Sequence, residues 1–287
     1  MELKHTAKNG GRLSTVLKEE MRVSTGLMNR LKWRDKLLVN GIPRHTDFAV
    51  APGDVVSLAL DEERPDYPAE DAPITVLYED DDMLAVDKPA GMLIHPSRAT
   101  NTGTLANRVL AYYQRTGQSC AFHPVTRLDR DTFGIVLLAK NSHIHALLKA
   151  GELQKTYHAL TFGAPKEKQG IIDAPIARRE LPSLLRYIDP AGKPSVTKYA
   201  VLERTGCTAK LALQPVTGRT HQLRVHCAYM GYPILGDPQY ATELSRAFSE
   251  EVGLFTQQLC AYSLEFIHPI TGEAMYLTSQ MDTVQLT

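Results

Sequence analysis

Cysteine and long apolar runs are both scarce in this chain. It has 4 cysteines among 287 residues, and no two of them stand in a CxxC pair. Their neighbours are mostly apolar, so buried free thiols are expected, as is usual in a reducing cytoplasm. No apolar run approaches the roughly 20 residues that span a bilayer, and the N-terminus has no apolar signal core. The sequence therefore predicts a soluble cytoplasmic protein with no membrane partner.

The sequence also lacks the short motifs of several common enzyme classes. It contains no GxGxxG after a strand, no GxxxxGK[ST], no HExxH and no GxSxG. Dinucleotide-dependent enzymes, P-loop NTPases, zinc proteases and nucleophile-elbow hydrolases are therefore not indicated. The 10 histidines are scattered, without a Cys or a carboxylate at ligand spacing. We predict no metal site and no cofactor.

Charge is unevenly distributed along the chain, although the formal net charge at pH 7 is zero. Residues 1–50 carry 10 Lys or Arg against 5 Asp or Glu, whereas residues 61–82 carry 10 acids and one base. The segment 61–73 also contains three prolines, which favour an extended backbone. We predict a basic domain over residues 1–60, an acidic linker over residues 61–73 and a second domain over residues 74–287.

The first domain changes from a helical to a strand-like pattern. Apolar residues recur at helical spacing at Leu13, Val16, Leu17, Leu27 and Leu31. The dipeptide Asn-Gly then predicts a hairpin, and APGDVVSLAL predicts a turn that leads into a strand. We expect two short helices on a small antiparallel sheet.

Basic residues of this domain surround its one tryptophan, Trp33. They are Arg22, Arg30, Lys32, Arg34 and Lys36. This mixture suits phosphate contact and base stacking, but a solvated basic face explains it equally well. The order helix, helix, LLVNG, VAPGDVV resembles the small RNA-binding fold first described in ribosomal small-subunit protein four. That resemblance covers most of residues 10–60 and implies an α+β RNA-binding domain.

In the second domain, strand-like runs outnumber helical ones and adjoin in pairs without crossover helices. We predict strands at residues 74–80, 83–88, 134–140, 156–163, 197–204, 207–216, 259–267 and 274–279. Helices are predicted at 104–116, at 141–151 with a cap at Asn141 or Ser142, and at 221–231 with a stop at Gly231. The predicted fold class is α+β, with a mixed, largely antiparallel sheet.

The stretch TRLDRDTFG places Asp129 between Arg127 and Arg130. If the stretch is extended, Arg127, Asp129 and Asp131 point to one side, and Leu128 and Arg130 point to the other. An ionised Asp at a strand edge with cations near it is a competent nucleophile at neutral pH. A structural ion cluster explains the same residues, and on residue types alone it is the preferred interpretation.

A second segment dense in polar residues is TGRTHQLRVHCAYMGYPILGD. Thr220 is placed to cap a helix that starts near His221. Gln222, Leu223 and Arg224 would then occupy the first helical turn, where free backbone N–H groups and an arginine make an anion site. Such a helix start fits either a phosphate or a catalytic carboxylate.

These two segments resemble the two signature sequences of RluA-type pseudouridine synthases. HPVTRLDRDTFGIVLLAK is similar to the first signature, and TGRTHQLRVHCAYMGYPILGD to the second, in the same order and at the same distance. Supporting similarities are YEDDDMLAVDKPAGMLIHPS, TLANRVLAYY and KTYHAL, so that the match runs from about residue 74 to residue 280. The resemblance implies an enzyme that isomerises uridine to pseudouridine in RNA without a cofactor.

The resemblance also implies a role for individual residues. Asp129 matches the catalytic aspartate, and Arg224 matches the residue that pairs with it. Tyr157, which alone reads as a half-buried strand residue, matches the aromatic residue that stacks on the target uracil. Leu223 would line the pocket. The residues expected to contact the RNA or shape the site are Arg127, Arg130, Arg219, Thr220, His221 and Gln222.

Three positions depart from the family's usual pattern. Phe133 stands where Ser is usual, Tyr232 where His is usual, and Thr126 where His is common. None of them replaces the proposed nucleophile. The departures therefore bear on the local shape of the site or on target preference, and not on the class of reaction.

Several alternatives remain open from the sequence. Ribosomal RNA is favoured over transfer RNA because of the N-terminal resemblance, which is an analogy, and a monomer is expected. The first rival is a non-catalytic RNA-binding or ribosome-assembly factor. The second is a hydrolase or glycosidase that combines Asp129 with Asp131 or Asp237. The acidic run at residues 79–82 is interpreted as a solvated turn and not as a metal site.

Overall fold

Leu13, Val16 and Leu17 form the buried face of a helix that packs on a small sheet. The computed structural model describes residues 2–60, 66–97, 99–180 and 185–285. Its first elements are β1 (Glu2–Thr6), β2 (Gly11–Arg12), α1 (Leu13–Glu19), α2 (Thr25–Lys32), β3 (Leu37–Val39), β4 (Ile42–Pro43), β5 (Ala49–Val50) and β6 (Val55–Ala59). Strands β1, β6, β3 and β4 form an antiparallel sheet in this order. The expected arrangement of two helices on a small antiparallel sheet is confirmed.

The Asn-Gly dipeptide forms the predicted turn between β3 and β4. Asn40 and Gly41 have φ angles of 53° and 78°, as a two-residue type I′ turn requires. The Asn40 side chain also accepts a hydrogen bond from the backbone N of Val55 at 2.8 Å. Strand β1 has no apolar pattern in the sequence, because Leu3 is its one apolar residue. It is held in the sheet by backbone pairing with β6.

The remaining elements lie in the region predicted to be the second domain. They are β7 (Thr75–Glu79), β8 (Met83–Lys88), α3 (Leu105–Arg115), β9 (His123–Pro124), β10 (Phe133–Ala139), α4 (Ser142–Ala150), β11 (Leu153–Phe162), β12 (Gln169–Asp173), β13 (Ile176–Arg178), β14 (Arg186–Ile188), β15 (Val196–Thr205), β16 (Thr208–Pro215), α5 (Gln222–Tyr229), α6 (Glu243–Glu251), β17 (Leu259–Ile267) and β18 (Ala274–Thr278). The large sheet has the order β12-β15-β16-β11-β17-β10-β8-β7, with β18 on β17 and β9 on β10. Strand β10 pairs in parallel with β17, and the other described pairs of this sheet are antiparallel. The predicted α+β class with a mixed, largely antiparallel sheet is confirmed.

All eight predicted strands and all three predicted helices of this domain are present, with ends that differ by at most three residues. The hairpin β13–β14, strands β9 and β12, and helix α6 were not predicted. Helix α6 lacks an apolar stripe because its buried face is made of Ser245 and Ser249. Its sequence signal is the reciprocal cap between Thr242 and Ser245.

Helices α3 and α4 cover opposite faces of the centre of the sheet. Ala85 and Leu137 pack with Ile144 of α4, whereas Leu84 and Leu138 face the core formed with α3. Strands β8 and β10 are therefore buried on both faces, which explains their continuous apolar runs. Helix α5 packs on the other half of the sheet, against β11 and β16. This arrangement brings the start of α5 to the loop that precedes β10.

The second half of the predicted linker lies along α3. The Pro68 carbonyl accepts from the side chain of Asn107 at 2.7 Å, and Asp71 forms an ion pair with Arg115 at 2.7 Å. Residues 61–65 lie outside the described residues. The division into domains at residues 60 and 74 stays a prediction.

The cysteines are free, and two of them match the expected burial. Cys227 and Cys260 are buried and Cys120 is partly buried, but Cys207 is exposed. Cys207 lies in the turn between β15 and β16, so the prediction of burial is wrong for this residue. Among the described residues, no helix has both the length and the apolar character to cross a membrane.

Candidate active site

The loop between β9 and β10 carries Asp129 and is fixed at both ends. The Thr126 hydroxyl accepts from the backbone N of Leu137 at 2.9 Å. The Thr132 hydroxyl accepts from the side-chain amide of Gln257. Between these points, the Asp129 side chain is 31% exposed. A carboxylate held in this way is open to a substrate while its backbone is restrained.

The expected alternation of side chains over residues 126–131 is wrong. Residues 130 and 131 form a turn. Arg130 Nε and Nη2 donate to the carboxylate of Asp131 at 3.0 and 3.1 Å, although these side chains were expected on opposite sides. At this turn the ammonium of Lys88 donates to the Arg130 carbonyl at 2.9 Å.

Lys88 binds the backbone of the loop that carries Asp129, a role that was not identified from the sequence. Its side chain is fully buried, and Nζ also donates to the carbonyls of Pro89 and Met92 at 2.9 and 2.8 Å. Burial lowers the pKa of Lys88 to about 8, while Asp131 and Asp129 act in the opposite direction. The available signal was a lysine at the end of a fully buried strand, where an unpaired charge is costly.

The start of helix α5 differs from the prediction. The helix begins at Gln222, its N-cap is His221, and Thr220 makes no capping bond. Instead, the Gln222 side chain accepts from the backbone N of Arg219 at 2.9 Å and donates to the Val196 carbonyl at 3.0 Å. Gln222 is buried. It therefore shapes the turn from inside and is not at the surface where RNA would lie.

Arg224 lies at the centre of the site and is 6% exposed. Its Nε and Nη2 donate to the two carboxylate oxygens of Asp237 at 2.7 and 2.8 Å. Nη2 also donates to Gln239 Oε1 at 2.9 Å. Burial lowers the pKa of Arg224, but the bonds to Asp237 and then the charge of Asp129 more than offset it, so that the pKa is raised. The guanidinium is thus fixed in one orientation by a two-point pair.

The predicted contact between Arg224 and Asp129 is present, across 95 residues of sequence. Nη1 of Arg224 lies 3.2 Å from Oδ2 of Asp129, and Nε2 of His221 lies 3.8 Å from the same oxygen. Within the described residues, both close contacts of this carboxylate with basic side chains fall on Oδ2. Oδ1 makes no hydrogen bond to any of the described residues.

His221 connects Asp129 to a residue that the sequence did not single out, Tyr240. Nδ1 of His221 lies 2.8 Å from the Tyr240 hydroxyl. The backbone of His221 has φ 57°, a left-handed conformation that is uncommon for a residue with a side chain. Burial lowers the pKa of His221, so that the imidazole is neutral near pH 7.

Tyr157 and Leu223 form the apolar wall beside Asp129. Tyr157 lies on β11, is partly buried, and packs on the buried cluster that includes Leu223. Burial and then the charge of Asp129 raise the pKa of Tyr157 above its usual value. The phenol therefore keeps its proton, and its aromatic ring lies near the carboxylate.

The remaining predicted RNA contacts lie at the surface around this centre. Arg127, Arg219 and Thr220 are exposed, and the Arg130 side chain is 63% exposed. Arg219 Nε donates to the Pro194 carbonyl at 3.2 Å. Burial and then the charge of Arg127 lower the pKa of His95 in the neighbouring loop. The rim of the site is thus basic, as a polyanionic substrate requires.

The three positions that depart from the family pattern have structural partners. Phe133 is buried at the start of β10, next to Gly134, where a side chain would clash with the Ala261 backbone. Thr126 is buried and anchors the loop. Tyr232 packs against Gly163, at 2.9 Å from the position that a Cβ would occupy. None of these contacts involves Asp129.

The acidic turn before β8 brings together side chains that resemble metal ligands. Ligand atoms of Asp80, Asp82 and His268 lie within 4.8 Å of one another. Asp80 Oδ1 accepts from the backbone N of Asp82 and Met83 at 2.8 and 2.7 Å, and Oδ2 accepts from His268 Nε2 at 2.8 Å. The carboxylate of Asp80 therefore closes a turn, as was expected. The prediction of a solvated turn is wrong for Glu79, which ends β7 and pairs with Lys140 at 2.9 Å. The sequence did not reveal the contact of Asp80 with His268.

A hydrolase with two cooperating carboxylates finds no support here. Asp237 is fully buried, and both of its oxygens accept from Arg224. Asp131 is bound by Arg130 at two points. General acid and base catalysis needs a second carboxyl group that reaches the substrate. Asp129 is the one carboxylate of the three with an oxygen available for chemistry.

Comparison with known proteins agrees with this chemistry. The sequence profile described as RNA pseudouridylate synthase matches residues 82–229. An uncharacterized RNA pseudouridine synthase of Bacillus subtilis, YjbO, is 35% identical over 263 residues, which cover 89% of this chain and 90% of that protein. Ribosomal large subunit pseudouridine synthase D of Vibrio parahaemolyticus is 35% identical, with coverage of 84% and 78%. Ribosomal large subunit pseudouridine synthase C of Vibrio vulnificus is 32% identical, and the match covers 95% of this chain and 90% of that protein.

A solved structure extends the similarity to the fold. The structure of human RNA Pseudouridylate Synthase Domain Containing 1 superposes with a TM-score of 0.59 and 25% identity, covering 76% of this chain and 93% of that one. The matched profile includes Asp129 and Arg224. With its sheet, its exposed carboxylate and these similarities, the chain belongs to the RNA pseudouridylate synthase family.

Proposed function

We propose that Asp129 is the catalytic nucleophile of this RNA pseudouridine synthase and that ribosomal RNA is its substrate. The observation that supports the proposal is the geometry of the carboxylate, whose Oδ2 lies 3.2 Å from Arg224 Nη1 while Oδ1 makes no hydrogen bond to the described residues. An ionised carboxylate beside a fixed guanidinium stays charged and oriented. Such a group is suited to attack an electrophilic carbon.

The reaction exchanges one bond between sugar and base for another. The bond from the anomeric carbon to ring nitrogen one breaks, a bond from the same carbon to ring carbon five forms, the proton of carbon five is released, and nitrogen one takes up a proton. Asp129 starts this sequence by attacking the sugar, by attacking the ring or by removing a ribose proton. Each route leaves the atoms of the nucleotide unchanged in number, so no oxidant or group donor is required.

The target uridine must leave its stack to reach Asp129. Extrusion costs a few kcal/mol, and stacking of a base on an aromatic ring contributes about 1–3 kcal/mol. Tyr157 is placed to provide that ring, with Leu223 beside it. Arg127, Arg130, Arg219 and Thr220 lie at the exposed rim, where they would contact the RNA backbone, while His221 and Gln222 shape the site from within.

Ribosomal RNA is favoured by two observations. Two of the relatives are named ribosomal large subunit pseudouridine synthases. The N-terminal domain, which resembles a ribosomal RNA-binding fold, presents Trp33 at 77% exposure with the ammonium of Lys32 5.0 Å from its ring. Exposed arginines next to Trp33 suit contact with phosphate. We infer that this domain holds structured RNA while the second domain modifies it, and that the protein acts as a cytoplasmic monomer.

The role of Asp129 is tested with the substitution Asp129→Asn. Asparagine has the same shape but cannot act as a nucleophile, so tritium release from RNA labelled at carbon five of uridine should fall below detection. Binding of the same RNA should stay within about twofold, because the lost charge is one among many contacts. Asp131→Asn is the matched control, since it changes the neighbouring carboxylate and should keep most of the activity. Turnover by Asp129→Asn at the wild-type rate would refute the assignment.

The substrate is tested by mapping pseudouridines in total RNA from cells with and without the gene. Sites that disappear from ribosomal RNA and return with the wild-type gene, but not with Asp129→Asn, would support the proposal. Loss confined to transfer RNA would refute the choice of substrate and leave the role of Asp129 intact. Sedimentation of the purified protein at several concentrations tests the monomer.

A further inference from the structure

Tyr240 lies among the contacts behind Asp129. Its backbone N donates to Oδ1 of Asp237 at 3.2 Å, and its ring lies against the guanidinium of Arg224, with 5.0 Å between Cζ and the ring centre. The Tyr240 hydroxyl accepts from the backbone N of Arg186 at 3.0 Å and lies 2.8 Å from Nδ1 of His221. Tyr240 thus contacts the hairpin β13–β14, helix α5 with its N-cap, and Asp237.

The direction of the hydrogen bonds follows from the chemistry of the donors. A backbone N–H can only donate, so the Tyr240 oxygen is the acceptor for Arg186. Burial raises the pKa of Tyr240, so the phenol keeps its own proton. Within the described residues, His221 Nδ1 is the acceptor placed to receive it. A neutral His221 that accepts at Nδ1 has its hydrogen on Nε2.

Nε2 is the ring atom of His221 that faces Asp129. It lies 3.8 Å from Oδ2, which is longer than a hydrogen bond but within the range of an electrostatic contact. The left-handed backbone of His221 is unfavourable for a residue with a side chain and persists where its surroundings determine it. The contacts of its ring with Tyr240 and Asp129 supply such surroundings.

We propose that Tyr240 is a positioning residue that orients the His221 imidazole so that its Nε2–H points at Oδ2 of Asp129. This inference rests on the function proposed for Asp129. Tyr240 does not touch the RNA in this role and acts through His221. With Arg224 and His221 both directed at Oδ2, the charge of that oxygen is held in place while Oδ1 reacts.

The surroundings of His221 also predict how pH acts on this arrangement. Two carboxylates, Asp129 and Asp237, and two arginines, Arg224 and Arg186, face the imidazole together with Tyr240. Protonation at acid pH places a hydrogen on Nδ1, where the Tyr240 hydroxyl already donates. Protonation therefore breaks the bond that orients the ring, and the wild-type rate should fall at acid pH. In Tyr240→Phe this bond is already absent while Nε2 keeps its hydrogen, so the acid limb of the pH–rate profile should be weakened.

The test is a cycle of single and double variants built from Tyr240→Phe and His221→Asn. Phenylalanine keeps the ring against Arg224, and asparagine tolerates a left-handed backbone. The substrate is total RNA labelled with tritium at carbon five of uridine, taken from cells that lack the gene, and the measured quantity is the single-turnover rate of tritium release. Tyr187→Phe is the matched control, because Tyr187 lies on β14 of the same hairpin and its hydroxyl donates to Asp189.

We expect Tyr240→Phe to lower the rate about tenfold in the wild-type background, the effect of one hydrogen bond. In the His221→Asn background it should lower the rate by less than about twofold, since its target is already absent. Tyr187→Phe should match the wild type. A tenfold loss of rate on adding Tyr240→Phe to His221→Asn would overturn the proposal, including a loss caused by misfolding. An acid limb that is the same in Tyr240→Phe and in the wild type would also overturn it. Activity of Asp129→Asn would instead refute the proposed function, whatever the cycle gives.

Discussion

The basic region of residues 1–60 and the candidate active site around Asp129 both contain cations, but they hold them in opposite ways. Arg22 and Arg30 are exposed in this region, as is Trp33 at 77%. In the active site, Arg224 is 6% exposed and bonded to Asp129 and Asp237. Exposed cations act through their summed charge and can replace one another, whereas a buried guanidinium acts through one geometry. Substitutions in the first region should therefore change RNA affinity, and those in the second should change chemistry or stability.

The largest effect is expected for Arg224→Lys, which keeps the charge and removes the geometry. Lysine cannot bind both oxygens of Asp237 and reach Asp129 at the same time. The rate of tritium release should fall by about 10²–10³, as for loss of one oriented donor in other active sites. Circular dichroism checks that the variant is folded. A rate near that of the wild type would show that charge alone suffices in the buried site as well.

Asp237→Asn should have the second largest effect, mainly on stability. It leaves the buried guanidinium of Arg224 without its two-point partner, and loss of one member of a buried pair costs about 3–5 kcal/mol. We expect the free energy of unfolding in urea to fall by about 3 kcal/mol. Asp71→Asn is the control, because Asp71 pairs with Arg115 at 2.7 Å but is 79% exposed. An equal loss in both variants would contradict the distinction between buried and exposed pairs.

Lys88→Met separates support of the loop from its chemistry. The substitution leaves the carbonyls of Pro89, Met92 and Arg130 without their donor. The free energy of unfolding at pH 7 should therefore fall by about 1–3 kcal/mol. The pKa of Lys88 is lowered from 10.5 to about 8, so the unfolded chain binds more protons between these values.

The difference in the free energy of unfolding, wild type minus Lys88→Met, should accordingly rise with pH between about 8 and 10.5. Urea unfolding of both proteins at pH 7, 8, 9 and 10 measures the difference. The comparison cancels the other groups that titrate in this range. A difference that is constant across these pH values would show that Lys88 stays charged in the folded protein.

The smallest effect is expected for Trp33→Ala in the exposed region. Loss of one stacking ring should weaken RNA binding by about 1–2 kcal/mol and leave the single-turnover rate at saturating RNA unchanged. Its salt dependence should also be unchanged, whereas Lys32→Gln should lower the slope of log affinity against log salt by about one. Filter binding at several salt concentrations measures both. A change in the single-turnover rate at saturating RNA for either variant would show that the exposed region also affects the chemical step.

Much of the fold follows from local patterns. Alternating and continuous apolar runs identified the eight main strands, and caps such as Asn141 marked the main helices. The elements without a prediction are those that local patterns do not mark, such as β1 and the three-residue strands β13 and β14. These are held by backbone pairing and by contacts with distant residues.

The family and its reaction class were also within reach of the sequence. The similarities to pseudouridine synthases favour an enzyme over a non-catalytic RNA-binding factor. The resemblance predicted the contact between Asp129 and Arg224 as well. It did not predict the roles of Lys88, Asp237 and Tyr240, because nothing in their own segments indicates the partners that they meet in the folded chain.

The sequence by itself determined most of the order of the elements and the family, and it singled out Asp129 as the proposed nucleophile. Only the tertiary structure decided which carboxylate remains available. Asp131 is bound by Arg130, Asp237 is buried with both oxygens on Arg224, and Asp129 offers its Oδ1. Burial and hydrogen bonding depend on where distant segments come to lie, and so the reactivity of a carboxylate is a property of the folded chain.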